Sequence, residues 1–243
     1  MNTKLMKASL VSILAMLLVS ACGVIPMLGS RNITSENRNV SGFDRLEVSG
    51  GGDVTIIQDG TEALNLETDD NVMQYVTSKV QGGTLSIGLE FPSLRSVIPS
   101  RLRLTLHVKD LSGIITSGSW NVVSESFQTR SLDIAISGSG KVTIHALTTD
   151  KLTVEISGSG EMDMAGNVKS QDVTISGSGS YNAGDLQTQD TKVGVSGSGN
   201  VTTWVTGSLD ASISGMGTIS YYGSPQVAFN QSGSGTIKSL GNK

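Results

Sequence analysis

Along most of this chain apolar residues fall on alternate positions, and the pattern restarts every 18 to 20 residues. The restart is marked by Ser-Gly-Ser-Gly, beginning at Ser137, Ser157, Ser176, Ser196 and Ser232. A variant, Ser214-Gly215-Met216-Gly217, stands between the last two, and looser copies begin at Ser117 and Ser49. Aligned on the first serine, the repeats form columns. One residue before it stand Val48, Thr116, Ile136, Ile156, Ile175, Val195, Ile213 and Gln231. Three before stand Leu46, Ile114, Ile134, Val154, Val173, Val193, Ala211 and Phe229; five after stand Val54, Val122, Val142, Met162, Tyr181, Val201, Ile219 and Ile237. These offsets are all odd, so they share one face of an extended chain, with Thr, Ser, Asp, Glu, Lys and Asn between them.

Each repeat therefore predicts a strand, a glycine-rich link and a second strand. A fixed period with no room for long helices stacks such units in parallel. The expected fold is all-β, a right-handed parallel β-helix with coils of 18–20 residues, right-handed because parallel crossovers are. About seven coils at roughly 4.8 Å each give a rod of about 30–35 Å. The same parity places both glycines of each motif inward. There they either sit where opposing walls leave no room for a Cβ or permit φ > 0 at a corner. Trp120 stands where a later copy has an inward glycine, which calls for a wider or capped coil.

Residues 41–110 keep strand character but lose the strict period. Leu46 to Ile57 reads as one coil, Thr61 to Glu67 and Thr84 to Ile87 as further strands, and Asp69 to Val76 as a short helix. Phe91 to Pro99 holds two prolines and breaks the ladder, and Arg101 to Lys109 alternates cleanly. The expected organisation is a leader at 1–22, a polar tether at 23–40, an irregular β-helix portion at 41–110 and the regular repeats at 111–243.

The segments Gly42-Phe43-Asp44-Arg45-Leu46, Gly52-Asp53-Val54-Thr55-Ile56 and Gly83-Thr84-Leu85-Ser86-Ile87, followed by serial Gly-Ser-Gly coils, resemble the head GIN domain family of "putative auto-transporter adhesins". The resemblance runs over residues 38–240. It implies a pectin-lyase-like β-helix on a secreted bacterial protein with an adhesive role.

Composition refines this picture. Only 4% of residues are aromatic while 30 are glycine, so the core must come from small apolar side chains. The chain has 17 basic and 21 acidic residues, and removing the leader with Lys4 and Lys7 leaves 15 against 21. That balance excludes nucleic acid as a partner, which demands a basic footprint. Lys4, Lys7 and the apolar run Ala8 to Val19 make a secretory signal too short to span a bilayer. Val19-Ser20-Ala21-Cys22 resembles a bacterial lipobox, which implies a lipidated Cys22 and membrane attachment by acyl chains. Cys22 is the only cysteine, so no intramolecular disulfide is available. Gly23 lacks the inner-membrane retention aspartate of enteric lipoproteins, which points to the outer membrane where the cell has one.

Candidate chemistry is sparse. No cofactor or metal is expected, and catalytic residues are expected to be absent. The recurring glycines stand between strands, not before a helix, so they do not form a phosphate loop. Asp150, Asp172, Asp190 and Asp210 recur near the far turn as structural turn residues. Asp69-Asp70 is the one adjacent acidic pair, placed to cap a helix start. His145, Trp204 and Tyr222 share a column eight residues after the leading serine; exposed, Trp204 and Tyr222 would offer a sugar a platform, and turned inward they would fill core. The outward row Arg101, Arg103, His107 and Lys109 reads as a solvated edge. The expected function is a non-enzymatic, lipid-anchored envelope protein with an adhesin-like or scaffolding surface for a glycan or envelope protein. The alternative is a carbohydrate-binding or polysaccharide-active β-helix.

Overall fold

The structure, a computed structural model, describes residues 26–91 and 97–243. Strands β1 (Met27–Leu28) and β2 (Ile33–Arg38) precede β3 (Arg45–Gln58). An excursion over residues 59–112 then holds β4 (Ala63–Asp69), the one-turn helix α1 (Asp70–Met73), β5 (Val76–Gln81), β6 (Thr84–Leu89), β7 (Val97–Ile98) and β8 (Leu102–Val108). The regular part follows with β9 (Gly113–Ser124), β10 (Phe127–Gln128), β11 (Ser131–Gly138), β12 (Lys141–Gly158), β13 (Glu161–Gly177), β14 (Ser180–Gly197) and β15 (Asn200–Gly215). It closes with β16 (Thr218–Tyr222), β17 (Gln226–Gly233) and β18 (Thr236–Ser239).

From β9 onward the chain is a β-solenoid of about six turns. Every successive pairing there is parallel. Ile136, Ile156, Ile175, Val195 and Ile213 are successive register partners, and all are buried. Val142, Met162, Tyr181, Val201 and Ile219 stack in the same way along the opposite wall. Each buried aliphatic side chain contributes about 1.5–3 kcal/mol, so a continuous stack of them replaces the bulky core the composition lacks.

The two glycines of each motif divide the tasks that parity assigned to both. The first sits at a bend that is not inward, with φ between 114° and 132° from Gly138 to Gly233. The second, such as Gly160, is buried at ordinary φ, and a Cβ there would lie 2.6 Å from Ile136 Cγ2 one coil back. The sequence expectation that both glycines point inward is thus corrected, because the backbone turns between them and strict alternation fails at the bend. The ladder nevertheless continues through it. The amides of Ser139, Ser159, Ser178, Ser198, Met216 and Ser234 each donate to the carbonyl of the first glycine one coil earlier. Only backbone is used, which explains why Met216 can replace serine.

The start of the rod departs from the expected winding. β3 pairs directly with β9, from Arg45↔Gly113 to Ile56↔Ser124, so the 59–112 excursion adds material on the other side of β3. There β8 pairs in parallel with the second half of β3, and β6 with its first half. β4 runs antiparallel to β8, β2 antiparallel to β4, and β5 antiparallel to β6. The described residues of 59–112 therefore form a cap in which antiparallel pairs are joined to β3 by parallel ones, in place of further coils. Its Leu64, Leu66, Leu85, Leu104 and Leu106 close the core from that end.

Trp120 plugs this junction. It is 1% exposed, and its ring leaves no room for a Cβ on its partner Gly52, which would lie 2.8 Å from Trp120 Cζ3. Its Nε1 is buried without a hydrogen-bond partner.

The 23–40 tether is likewise corrected over its described residues. β1 pairs with β7, and β2 is the outer strand on β4. β2 has no apolar period to read because it is held by backbone pairing and by polar side chains. Asn65 Nδ2 donates to Ser35 Oγ and Asn37 Oδ1, and Arg38 Nη1 donates to Val76 O at 2.6 Å. At the far end Gln231 takes the place of the stacked isoleucines. Its Nε2 donates to Gly233 O and Gly235 O, satisfying carbonyls of the last bend.

Candidate functional site

Near the end of the solenoid, Trp204 in β15 and Tyr222 in β16 are register partners on consecutive coils. Trp204 stands between buried Thr203 and Val205, so alternation turns its ring outward, and both rings are half-buried. The backbone beneath is fixed by a polar network enclosed in the core. Gln171 Nε2 donates to Thr203 Oγ1 at 2.7 Å and Thr191 Oγ1 at 3.1 Å, and its Oε1 accepts from Tyr181 Oη at 2.7 Å. Thr188 Oγ1 lies 2.7 Å from Thr191 Oγ1 and donates to Trp204 O at 2.9 Å. Burial pushes the Tyr181 phenol well above its usual pKa, so the group stays a neutral donor.

The outer side of the aromatic pair is covered by Lys243. Its Nζ lies 5.5 Å from the Trp204 ring centroid and 5.2 Å from that of Tyr222. The same ammonium donates to the Gly184 carbonyl and the Asp185 carboxylate. The tail reaches there because Gly223 N donates to Gly241 O and Ser224 Oγ to Asn242 Oδ1. Gly184 supplies the room, since a Cβ there would already touch Tyr222 Cε2 at 3.3 Å. Two ring faces, a carboxylate and a carbonyl converge on one cation, which is an acceptor set that holds an ammonium.

His145 does not join this group. It is exposed at the register shift between Ile144 and Leu147, three motifs before the Trp204 coil. Its equivalents on the intervening coils are Ala165 and Gly184. Sequence reading missed Lys243 and Asp185, which lie outside the aromatic column, and Gly184, which lies in it but has no side chain to mark it.

The other candidates also take definite places. Cys22 and its lipobox lie outside the described residues. Asp69 occupies the N-cap position of α1 but makes no side-chain cap, which corrects the capping expectation. It is fully buried and accepts instead from Arg31 N at 2.6 Å and from Ser100 N and Oγ at 2.7 and 2.6 Å. Burial works to raise its pKa, yet these hydrogen bonds outweigh that and leave it lowered. Asp70 faces away, accepting from Ser30 Oγ and Asn32 Nδ2.

Three of the four residues in the cationic row face carboxylates. His107 Nδ1 lies 2.6 Å from Asp59 Oδ2, Lys109 Nζ 2.7 Å from Glu62 Oε2, and Arg103 Nη1 3.9 Å from Glu67 Oε2. The four recurring aspartates lie within strands and do not stack on one another. Asp172 and Asp210 flank Lys192, Asp190 lies between Ser170 and Ser208, and Asp150 is ion-paired with Lys169. Among the described residues no group of three or more His, Cys, Asp or Glu is placed to hold a metal ion.

Comparison with known proteins agrees with this architecture. A "putative adhesin" from Bacteroides fragilis is 28% identical, with a TM-score of 0.82 over 88% of this chain and 100% of its own. A "putative lipid binding protein" from Parabacteroides distasonis superposes at a TM-score of 0.76, with 24% identity over 89% of this chain and all of its own. A "putative adhesin" from Parabacteroides merdae gives 0.72 at 22% identity, over 88% and 98% of the two chains. No curated protein matches the chain in sequence. The family model described as "Putative auto-transporter adhesin, head GIN domain" matches residues 42–225. Over residues 42–225, which include most of the cap and of the solenoid, this chain belongs to the head GIN domain adhesin family.

Proposed function

We propose that this chain is a lipid-anchored, non-enzymatic, adhesin-like protein of the cell envelope, held to the membrane through Cys22. The observation that carries the reading is the apolar run ending in Val19-Ser20-Ala21-Cys22, upstream of a solenoid of an adhesin family. The capped end, where β1 begins five residues after Cys22, then faces the membrane and the Trp204–Tyr222 coils face outward. Gly23 favours an outer-membrane address. Family and structural neighbours support adhesion in place of catalysis. The test is fractionation of a Cys22→Ser variant. Release of the protein from membranes is expected; continued retention would refute the anchor.

A second reading, glycan binding, is favoured by the outward-facing aromatic pair. Glycan binding that survives Trp204→Ala with Tyr222→Ala would dismiss this pair as its site, and no glycan binding by the purified chain would dismiss the reading.

A further inference from the structure

We infer that the Trp204–Tyr222 site is an ammonium-binding cage for a lysine side chain of a protein partner, and that Lys243 is its tethered occupant. The inference rests on the adhesin-like reading of the solenoid surface and is independent of the lipid anchor. Four groups from three strands meet at one point: the rings of Trp204 and Tyr222, and the Asp185 carboxylate and Gly184 carbonyl of β14. An aromatic face attracts a cation through its quadrupole, and a carboxylate and a carbonyl accept the N–H donors that the rings leave free. The site therefore supplies what a primary ammonium on an aliphatic stem needs, and Lys243 already fills it.

The backbone under Trp204 is anchored in the core, while the occupant sits on an exposed segment. Thr188 ties the backbone of Trp204 to the buried Gln171–Thr191–Thr203 network. Lys243 instead belongs to a tail whose Gly241, Asn242 and Lys243 are exposed and joined to the coil by few hydrogen bonds. Such a tail can lift away and leave the cage intact. A lysine presented by another polypeptide reproduces every contact of Lys243. A hexosamine places its amine on a bulky ring and does not. A tethered occupant competes at a high effective concentration, so a partner's apparent affinity falls by the fraction of cages left open.

The test uses the purified full chain, its Lys243→Ala variant, and Nα-acetyl-lysine methylamide as the probe. Binding is followed by the indole N–H resonance of Trp204, with the enclosed Trp120 as internal reference. The variant is expected to bind the probe about ten-fold tighter than the parent chain. Acetylating the probe's Nε should abolish binding, as should Tyr222→Ala in the Lys243→Ala background, and Asp185→Asn should weaken it. Equal affinity of the variant and the parent would overturn the tethered occupant. Equal binding of the acetylated probe would overturn the cation, and glucosamine binding as tightly as the lysine probe would overturn the polypeptide partner. None of these outcomes depends on whether Cys22→Ser leaves the membrane, so the two readings fail separately.

Discussion

Ile136 Cγ2 fills the space that a side chain on Gly160 would need, one coil further on. The relationship repeats at Ile156 with Gly179, Ile175 with Gly199 and Val195 with Gly217. A coil is therefore locked to its predecessor by an aliphatic branch seated over a bare backbone. Gly160→Ala is expected to cost about 1–3 kcal/mol through overpacking. Shortening Ile136 to Ala in the same chain should recover part of that loss, because the two sites share one volume. Urea midpoints of the single and double variants measure it; strictly additive losses would refute the interlock.

Gly158 should be less forgiving. Its φ of 114° suits glycine, and a Cβ would lie 2.7 Å from the Gly138 carbonyl oxygen, which is backbone and cannot swing aside. Gly158→Val is expected to lose at least about 1–3 kcal/mol. Its midpoint should fall below that of Gly160→Ala; a midpoint equal to the parent's would contradict the bend.

Asp69 joins three segments through Arg31 N and the two donors of Ser100. Asp69→Ala strands those donors, at about 1–3 kcal/mol for a buried group left unpaired. Because the folded-state pKa is lowered, the stabilisation is present above the ordinary aspartate value and is lost as pH falls through the folded one. Faster amide exchange in residues 26–38 of Asp69→Ala, with solenoid protection unchanged, is the expected signature. Uniform loss of protection would show instead that the cap and solenoid unfold as one unit.

The Asp59–His107 pair gives a pH window that can be read directly. Hydrogen bonds from Thr61 and then from His107 hold the Asp59 carboxyl at about 2, against an ordinary 3.8. A lowered folded pKa means the contribution exists above pH 3.8 and disappears as pH falls through about 2. The melting temperatures of the parent and Asp59→Asn should differ at pH 5 and converge near pH 2. A constant gap across that range would mean that the carboxylate charge is not what matters.

Much of the fold was legible because a solenoid repeats its evidence: Ile136, Ile156 and Ile175 each stand 19 or 20 residues from the next and pair in register. The cap was not legible. Arg101 to Val108 alternates as cleanly as any coil, yet nothing local to it specifies an antiparallel partner such as β4. β2 was read as a tether because polar ladders like Asn37–Asn65–Ser35 carry no hydrophobic period. At the candidate site, Trp204 and Tyr222 announced themselves by type and column. Lys243 and Asp185 did not, since a tail folding back and an exposed acid leave no periodic trace.

Gln231 ends the stack by turning its amide onto the carbonyls of the final bend, while Trp120 and the leucine-lined cap seal the beginning. Both closures lie outside the repeated coils between Gly138 and Gly217. Duplicating or deleting one such unit in the gene would lengthen or shorten the molecule by about 4.8 Å and leave each terminus as it was. The length of the solenoid thus becomes a quantity that evolution can adjust in whole steps without redesigning either end.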